Sequence, residues 1–585
     1  MVGFPTRKGT VGTASSDTRM FPSHCRELGS SYEAPLTAKL CRRVDGGAVQ
    51  SFDVRLGDLP IMVRSLRCHL VDLTPGELVA KREEPLESGG YFICNGIERV
   101  VRLLQLPRRN YPMALDRSAF GKRGPLFSTK AVSIRCVRED QTAITLTLHY
   151  LNDGNARARF SVRKQEFFVP VVLLLKALLP VVDKEVYERV LGGDRDNAGL
   201  SDAVTLLLQD FTALGLKDRP AALQYLGERF RAVMDLPRSL TNAAAGQAVL
   251  DRFVLVHLAG DNVAKFDLLV IMLRKLYAFA AGDVVEDSSD SMMNQELLLP
   301  GHLYLMVLKE KLLEFMVGIE AQVTRDVRTK KAPADLKDLP YFKKVADKQP
   351  SIGKKLYYLL ATGNLVSSSG LDLQQTSGFT VVADKINYLR FLTHFRSVHR
   401  GQFFTTMKTT SVRKLLPESW GFMCPVHTPD GAPCGLLNHL SAHAGVVTHP
   451  PGHVEHLPEL LASLGMAPLS ASHGVVPHTH LPVLVDGRVV GSAPPATATA
   501  IAAQLRKLKV SFLPACSAET AAEITGLVSH VSKSWESLSG PFAGLFLATA
   551  ASRLIRPVRQ VDTGLIEIIG PLEQVFMEIA CTPED

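Results

Sequence analysis

The segment that most limits how this chain can fold is residues 397–440, SVHRGQFFTTMKTTSVRKLLPESWGFMCPVHTPDGAPCGLLNHL. Its first half is basic and aromatic. Its second half is a tight run of Pro, Gly, Cys and His. Pro removes a backbone donor and fixes φ, while Gly admits turns that other residues resist. The stretch therefore reads as successive turns. Residues 390–414 carry Arg390, Arg396, Arg400, Lys408, Arg413 and Lys414, no carboxylate, and Phe391, Phe395, Phe403 and Phe404 between them. Basic groups neutralise phosphates and release counterions, and rings stack on bases or anchor a loop. The competing reading puts the rings in a core and the charges in solvent. Taken alone, the pattern leans to that second reading.

Cys424, His427, Cys434 and His439 are spaced C-x2-H-x6-C-x4-H. Zinc seeks four N or S donors in a tetrahedron. The central gap is shorter than the roughly twelve residues of a finger, and Pro425, Pro429 and Pro433 stiffen the loop, so zinc is disfavoured here. The motifs GxxxxGK[ST], HExxH and GxSxG are missing from the sequence. Nucleotide-cradling, zinc-protease and serine-hydrolase chemistry thus lack their usual signatures, and no catalytic residue is assigned.

At roughly 150 residues per domain, the 585 residues suggest about four domains. With 46% apolar and 21% charged residues the chain can bury a large core. A net charge of +8 is compatible with a nucleic-acid partner. The nine cysteines are scattered and odd in number, and no secretory signal opens the sequence, which fits reduced thiols. The most apolar stretch, residues 171–179, contains Lys176 and stops at Pro180, far short of the ~20 residues that span a bilayer. It reads as a buried helix or strand.

Residues 59–65 read as a strand, and Thr74-Pro75-Gly76 opens a helix with Pro75 in its first turn. Asn95-Gly96 predicts a hairpin, as do Asn152-Asp153-Gly154 after residues 144–151 and Asp486-Gly487 within residues 481–493. Residues 117–138 carry six basic and no acidic residues. From Phe167 to about Val327 the pattern is helical, with Leu305, Leu308, Leu312, Met316 and Ile319 expected as core. Residues 325–355 hold ten basic and four acidic residues and three prolines, and 329–350 are the best linker candidate. Pro494-Pro495 leads into an Ala-rich helix, and residues 544–560 read as paired strands.

SVHRG, LLPESWGF and CPVHTPDG within the first segment resemble the fork of the second-largest, beta-like subunit of multisubunit DNA-dependent RNA polymerases. The wording is most similar to the RNA polymerase I form. SHCRELGSSYEAPLTAKL (23–40), GGYFICNGIERVVRLLQLPRRNYPMAL (89–115), LLATGNL, VVADKINYLRFLTHFRSVHRG, PVLVDGRVVG and RLIRPVRQ extend the likeness over most of residues 20–585. The resemblance implies a multidomain α+β fold, the mixed sheets and helices of the beta-like subunit. Residues 1–115 and 321–385 would form the protrusion and 116–320 an inserted lobe. Residues 386–445 would be the fork and 446–585 the external region of the polymerase I type.

The implied function is that of an RNA polymerase I subunit, a nucleotidyltransferase that makes ribosomal RNA precursor from ribonucleoside triphosphates. This chain would supply DNA-cleft and fork surfaces and be inactive alone. Arg396, His399, Arg400, Lys408, Arg413 and Lys414 become candidates for contact with template, non-template strand or nucleotide. Charge reversal at Arg400, Lys408 and Arg413 is expected to impair template handling with little loss of folding. Asp430 falls where related subunits place an acidic residue near the active centre, with a structural or electrostatic role.

Mg2+ would belong to the assembled enzyme, held mainly by the largest subunit, and the family's zinc site would lie beyond Asp585. Implied partners are the largest subunit, other polymerase subunits, the DNA template and the RNA–DNA hybrid, with no membrane. The implied location is nuclear and nucleolar. Family members normally have a longer leader before the Cys-Arg stretch and continue well past Asp585. The alternative expectation is a catalytically incompetent fragment acting as a nucleic-acid- or polymerase-binding module.

Overall fold

The computed structural model describes residues 1–7, 18–43, 47–237, 239–329, 338–450, 454–472, 474–512, 528–531, 540–580 and 582. The chain divides into two compact units. One comprises Met1–Leu104, Leu298–Lys408 and Thr428–His439; the other comprises Gln105–Leu297, Thr409–His427 and Leu440–Asp585. Helices and sheets are mixed in both, giving the α+β class. Among the described residues, no helix is long and apolar enough to cross a membrane.

In the first unit, strands Glu33–Arg42 and Gln50–Pro60 form an antiparallel ribbon with a bulge between Leu36 and Thr37. Gly57 stands beside it at φ +114, and a Cβ there would meet Ser351, at the start of helix Ile352–Thr362. Gly353 in turn lies against the backbone of Asp58. Two glycines thus let helix and strand touch backbone to backbone, which larger side chains would prevent. The strand ends at Pro60, so residues 61–65 are irregular and turning backbone and not the strand expected for 59–65.

The Asn95-Gly96 hairpin forms as expected, with positive φ at both residues between strands Phe92–Cys94 and Ile97–Val101. Thr380–Val382 adds a third strand beside Ile97–Val101. Below this sheet, Arg26 donates to Glu98 at 2.6 Å, Glu83 at 2.8 Å and the Tyr91 hydroxyl at 2.5 Å. The Cys-Arg stretch therefore supplies the central cation of a buried network.

Helix Pro300–Arg328 buries Leu303, Met306, Val307, Glu310, Lys311 and Phe315. That face is not the expected one: Leu305, Leu312 and Met316 are exposed, while Leu308 and Ile319 are half-buried. The helix is apolar on two faces, so periodicity alone could not choose between them. Lys311 and Glu310 occupy the inner face because they pair with each other at 3.2 Å. Within the linker candidate, Leu339–Asp347 is a helix opened by Pro340, and residues 330–337 lie outside the described residues.

In the second unit, five antiparallel strands run in the spatial order Gln165–Pro170, Ala156–Val162, Ala143–Leu151, Phe127–Val137, Met113–Asp116. The expected hairpin after Leu151 is there, and Arg163-Lys164, both at positive φ, turn the chain into the next strand. Helix Asn262–Ala281 lies on this sheet with most of its surface buried. Val171–Leu178 is a helix with every residue buried; Lys176 donates to Val181 O at 2.8 Å and pairs with Asp183 at 2.6 Å.

A second sheet has the order Ala467–Pro468, Arg488–Ala493, Leu481–Val485, Leu545–Ala548, Val528–Val531. The Asp486-Gly487 hairpin and the helix Pro495–Phe512 are as expected. The two strands read in residues 544–560 exist but do not pair. Leu545–Ala548 runs parallel to Leu481–Val485, whereas Leu554–Arg559 pairs with Gly445–Val446 and Ile566–Ile569.

Candidate nucleic-acid interface

Helix Tyr388–Phe395 starts at Asn387, whose side chain accepts from Arg390 N at 2.7 Å. Phe391 and Phe395 meet edge-on at 5.2 Å and pack on the core around Tyr91. Two of the four phenylalanines are thus structural. Arg390 pairs with Asp384 at 3.3 Å, a carboxylate just upstream of the basic window. Lys385 pairs with Glu98 at 3.0 Å and sits 5.1 Å from the Phe391 ring.

The chain then enters strand Ser397–His399, antiparallel to Leu437–His439 and, at Val398 and His399, parallel to Leu103 and Leu104. This ladder buries His399 and Arg400, at 5% and 8% exposure. Burial, reinforced by Arg102, pushes the His399 imidazole down to about 4, so it is neutral at physiological pH. Arg400 donates its backbone N–H to Leu436 O at 2.8 Å and lays its guanidinium 5.3 Å from the Phe404 ring. The expectation that Arg400 can be reversed with little loss of folding, as a surface residue could, is not met. The same backbone pairing that folds the segment draws His399 and Arg400 inside. Reversing Arg400 would invert a buried charge, so the small folding loss expected from the sequence does not apply there.

Gly401 follows at φ +129, where a Cβ would stand 3.2 Å from Gln375 Oε1 and 3.3 Å from the Phe404 ring. Gln375, itself buried, accepts from Gln402 N at 2.6 Å. This tether holds the turn Gln402–Thr406, which presents Phe403 at 50% exposure and leads to exposed Lys408. Arg396 is half-buried at the end of the preceding helix. The loop 428–436 is pinned by Thr428, whose hydroxyl donates to Leu437 O at 3.0 Å and accepts from Gly435 N at 3.0 Å. Asp430 is exposed on that loop, followed by Gly431 at φ +77.

Arg396, His399, Arg400, Lys408 and Asp430 belong to the first unit, Arg413 and Lys414 to the second. Arg413 ends the turn Ser411–Arg413, anchored by buried Val412, and Lys414 beside it is exposed. Further on, Phe422 is fully buried, with the Arg556 guanidinium 5.6 Å from its ring. Gln574 donates to Trp420 O at 3.0 Å and accepts from Arg556 at 2.7 Å. These bonds fix the base of the segment that carries Arg413 and Lys414.

Among the described residues, no three His, Cys, Asp or Glu side chains gather as a metal site. Cys424 and His427 lie in the second unit, and Cys434 and His439 in the first. His439 is buried in its strand opposite Ser397.

Residues 5–345 match the family model described as RNA polymerase beta subunit, and residues 381–446 match RNA polymerase Rpb2, domain 3. The chain is 46% identical over 98% of its length to the probable DNA-directed RNA polymerase I subunit RPA2 of Schizosaccharomyces pombe, covering 49% of that protein. It is 45% identical to the RNA polymerase I subunit RPA135 of Saccharomyces cerevisiae, covering 98% of this chain and 47% of that one. The Mus musculus RNA polymerase I subunit RPA2 is 41% identical, with 97% and 49% covered. The chain thus spans about half the length of these relatives.

Proposed function

Because the chain belongs to the RNA polymerase beta subunit family, we propose that it works as the N-terminal half of the second-largest subunit of RNA polymerase I. In that role it lends DNA-cleft and fork surfaces to an enzyme that copies DNA into ribosomal RNA precursor from ribonucleoside triphosphates. The observation that carries this reading is the identity to polymerase I subunits, sustained over nearly the whole chain. Residues 1–115 and 321–385 act as the protrusion, 116–320 as the lobe, 386–445 as the fork and 446–585 as the external region. The partners are the largest subunit, the other polymerase subunits, the template and the RNA–DNA hybrid, and the place of action is the nucleolus.

Exposed Lys408 and Lys414 and half-buried Arg396 and Arg413 neutralise backbone phosphates, while Phe403 offers a stacking face. His399 and Arg400, buried in the strand ladder of the first unit, anchor the turn that presents Phe403 and Lys408. Asp430 shapes the field near the active centre. Magnesium chemistry belongs to the assembled enzyme and its largest subunit.

The test is a polymerase I whose second subunit carries K408E, R413E and K414E. Assembly and thermal stability are expected to stay within about 0.5 kcal/mol per exposed change. Template affinity is expected to fall, and the salt slope of binding should drop by about one for each phosphate no longer neutralised. Wild-type elongation and an unchanged salt slope in the triple variant would defeat the proposal.

A further inference from the structure

Strand Ile97–Val101 continues one residue past its last ladder pair. Val101 pairs with Thr380, and Arg102 then donates its N–H to Phe379 O at 3.0 Å. Side chains alternate along an extended chain, so Glu98, Val100 and Arg102 share one face. Glu98 takes Arg26 at 2.6 Å and Lys385 at 3.0 Å. Val100 enters the core against which Phe391 and Phe395 pack. Arg102 comes within electrostatic reach of Arg390 and His394, one turn apart on helix Tyr388–Phe395, and of buried His399.

Arg102 is half-buried, and among the described residues its guanidinium meets no carboxylate, carbonyl or ring. Nε is enclosed without an acceptor, whereas Nη1 and Nη2 keep accessible surface. Burial first, and then the Arg390 cation, push its pKa down, and no anion pulls it back. The group stays charged all the same. Asp384, the carboxylate of this corner, is taken by Arg390 at 3.3 Å. His394 accepts from Asp384 N at 3.1 Å, and burial holds both His394 and His399 below the ordinary histidine value. By contrast, enclosed Arg26, Arg109, Arg135 and Arg189 rest on carboxylates, and Arg274 on carbonyls. Arg102 is a partly desolvated cation whose charged neighbour has its own sign, an arrangement that costs stability until an anion arrives.

We propose that Arg102 is a phosphate-binding residue, whose open Nη edge grips one backbone phosphate of bound nucleic acid beside Arg390. This rests on the nucleic-acid reading given above to Lys408. A phosphodiester supplies the single negative charge that the corner lacks, and a guanidinium meets two of its oxygens at once. Lys408 offers an exposed point charge on a flexible stem. Arg102 is held by the strand ladder, so its contact fixes the register of the strand it touches and carries no base preference.

The test compares R102M, R102K and K408E in an RNA polymerase I that contains this chain, bound to a DNA–RNA elongation scaffold. R102M should lower scaffold affinity on the order of tenfold and the salt slope by about one. R102K should restore the slope but not the whole affinity, because an ammonium keeps the charge and loses the fork. Thermal unfolding of the full chain without nucleic acid supplies the second readout. R102M should leave the midpoint unchanged or raise it, since an uncompensated charge leaves the fold. R102Q is the substitute should R102M fail to assemble. A midpoint loss as large as that of R26M would make Arg102 structural and overturn the inference. Wild-type affinity and slope in R102M would also overturn it: with K408E impaired the inference alone fails, and with K408E unimpaired the nucleic-acid reading fails too. If inorganic phosphate stabilises the wild-type chain but not R102M, and scaffold binding is unchanged, the site belongs to free phosphate and the nucleic-acid source is overturned.

Discussion

Replacing Arg26 by methionine is expected to destabilise the first unit by about 3–5 kcal/mol, the range for breaking a buried charge network from one side. The Arg26 side chain is 24% exposed, but Glu83, Glu87 and Glu98 around it are 1%, 4% and 10% exposed. Burial opposes its charge, yet Tyr91, Glu83 and Glu98 raise its pKa above the ordinary arginine value. Methionine keeps the apolar stem and removes the charge. Among the described residues, Glu98 then retains only Lys385, and Glu83 only the Ser23 N–H. The check is the denaturant midpoint of the first unit's transition at unchanged slope. A loss below about 1 kcal/mol would place this network among surface pairs of little worth. Adding E83Q should recover part of the loss, because one stranded carboxylate is then neutral.

The second large effect is expected at Glu296. It is 1% exposed and pairs with Arg109 and Arg135, themselves 9% and 5% exposed. Glutamine in its place strands two buried guanidinium groups, again at about 3–5 kcal/mol near pH 7. The effect should depend on pH in a definite direction. Burial pushes the Glu296 carboxyl up, but Arg109 and Arg135 outweigh it and hold the group below its ordinary 4.5. A carboxylate depressed on folding contributes its full stability above the ordinary value and loses it as pH falls through the folded one. Wild type and E296Q should therefore differ most above the ordinary carboxylate value and draw together only as pH falls through the depressed folded one. A gap that widens on acidification would contradict the ion-pair account.

The local elements were largely legible in the sequence. Asn95-Gly96, Asn152-Asp153-Gly154 and Asp486-Gly487 announce their hairpins because the turn itself demands those residues. The helix opened by Pro75 was legible for the same reason, since its start is a local matter. Long-range choices were not legible. The 300–328 helix offers two apolar faces, and only packing selects Leu303, Val307 and Phe315 over Leu305, Leu312 and Met316. The strands at 545–548 and 554–559 are neighbours in sequence but find partners far away, at 481–485 and 445–446.

The candidate site divides in the same way. The basic and aromatic content of residues 390–414 was plain, but burial of His399 and Arg400 follows from their ladder with residues 437–439 and 103–104. Gln375, which tethers the Gly401 turn from 27 residues upstream, carries no local signal at all. Lys385 was passed over because its partner, Glu98, is 287 residues away.

The most direct measurement is site-specific photo-crosslinking within an elongating polymerase I that contains this chain. A photoreactive amino acid is placed in turn at Lys408, Arg413 and Lys414, and at exposed Lys184 on helix Asp183–Leu191 as control. The account predicts crosslinks from the first three positions to template, non-template strand or nascent RNA, and none from position 184. Crosslinks from all four at the same level, or from none of the first three, would contradict it.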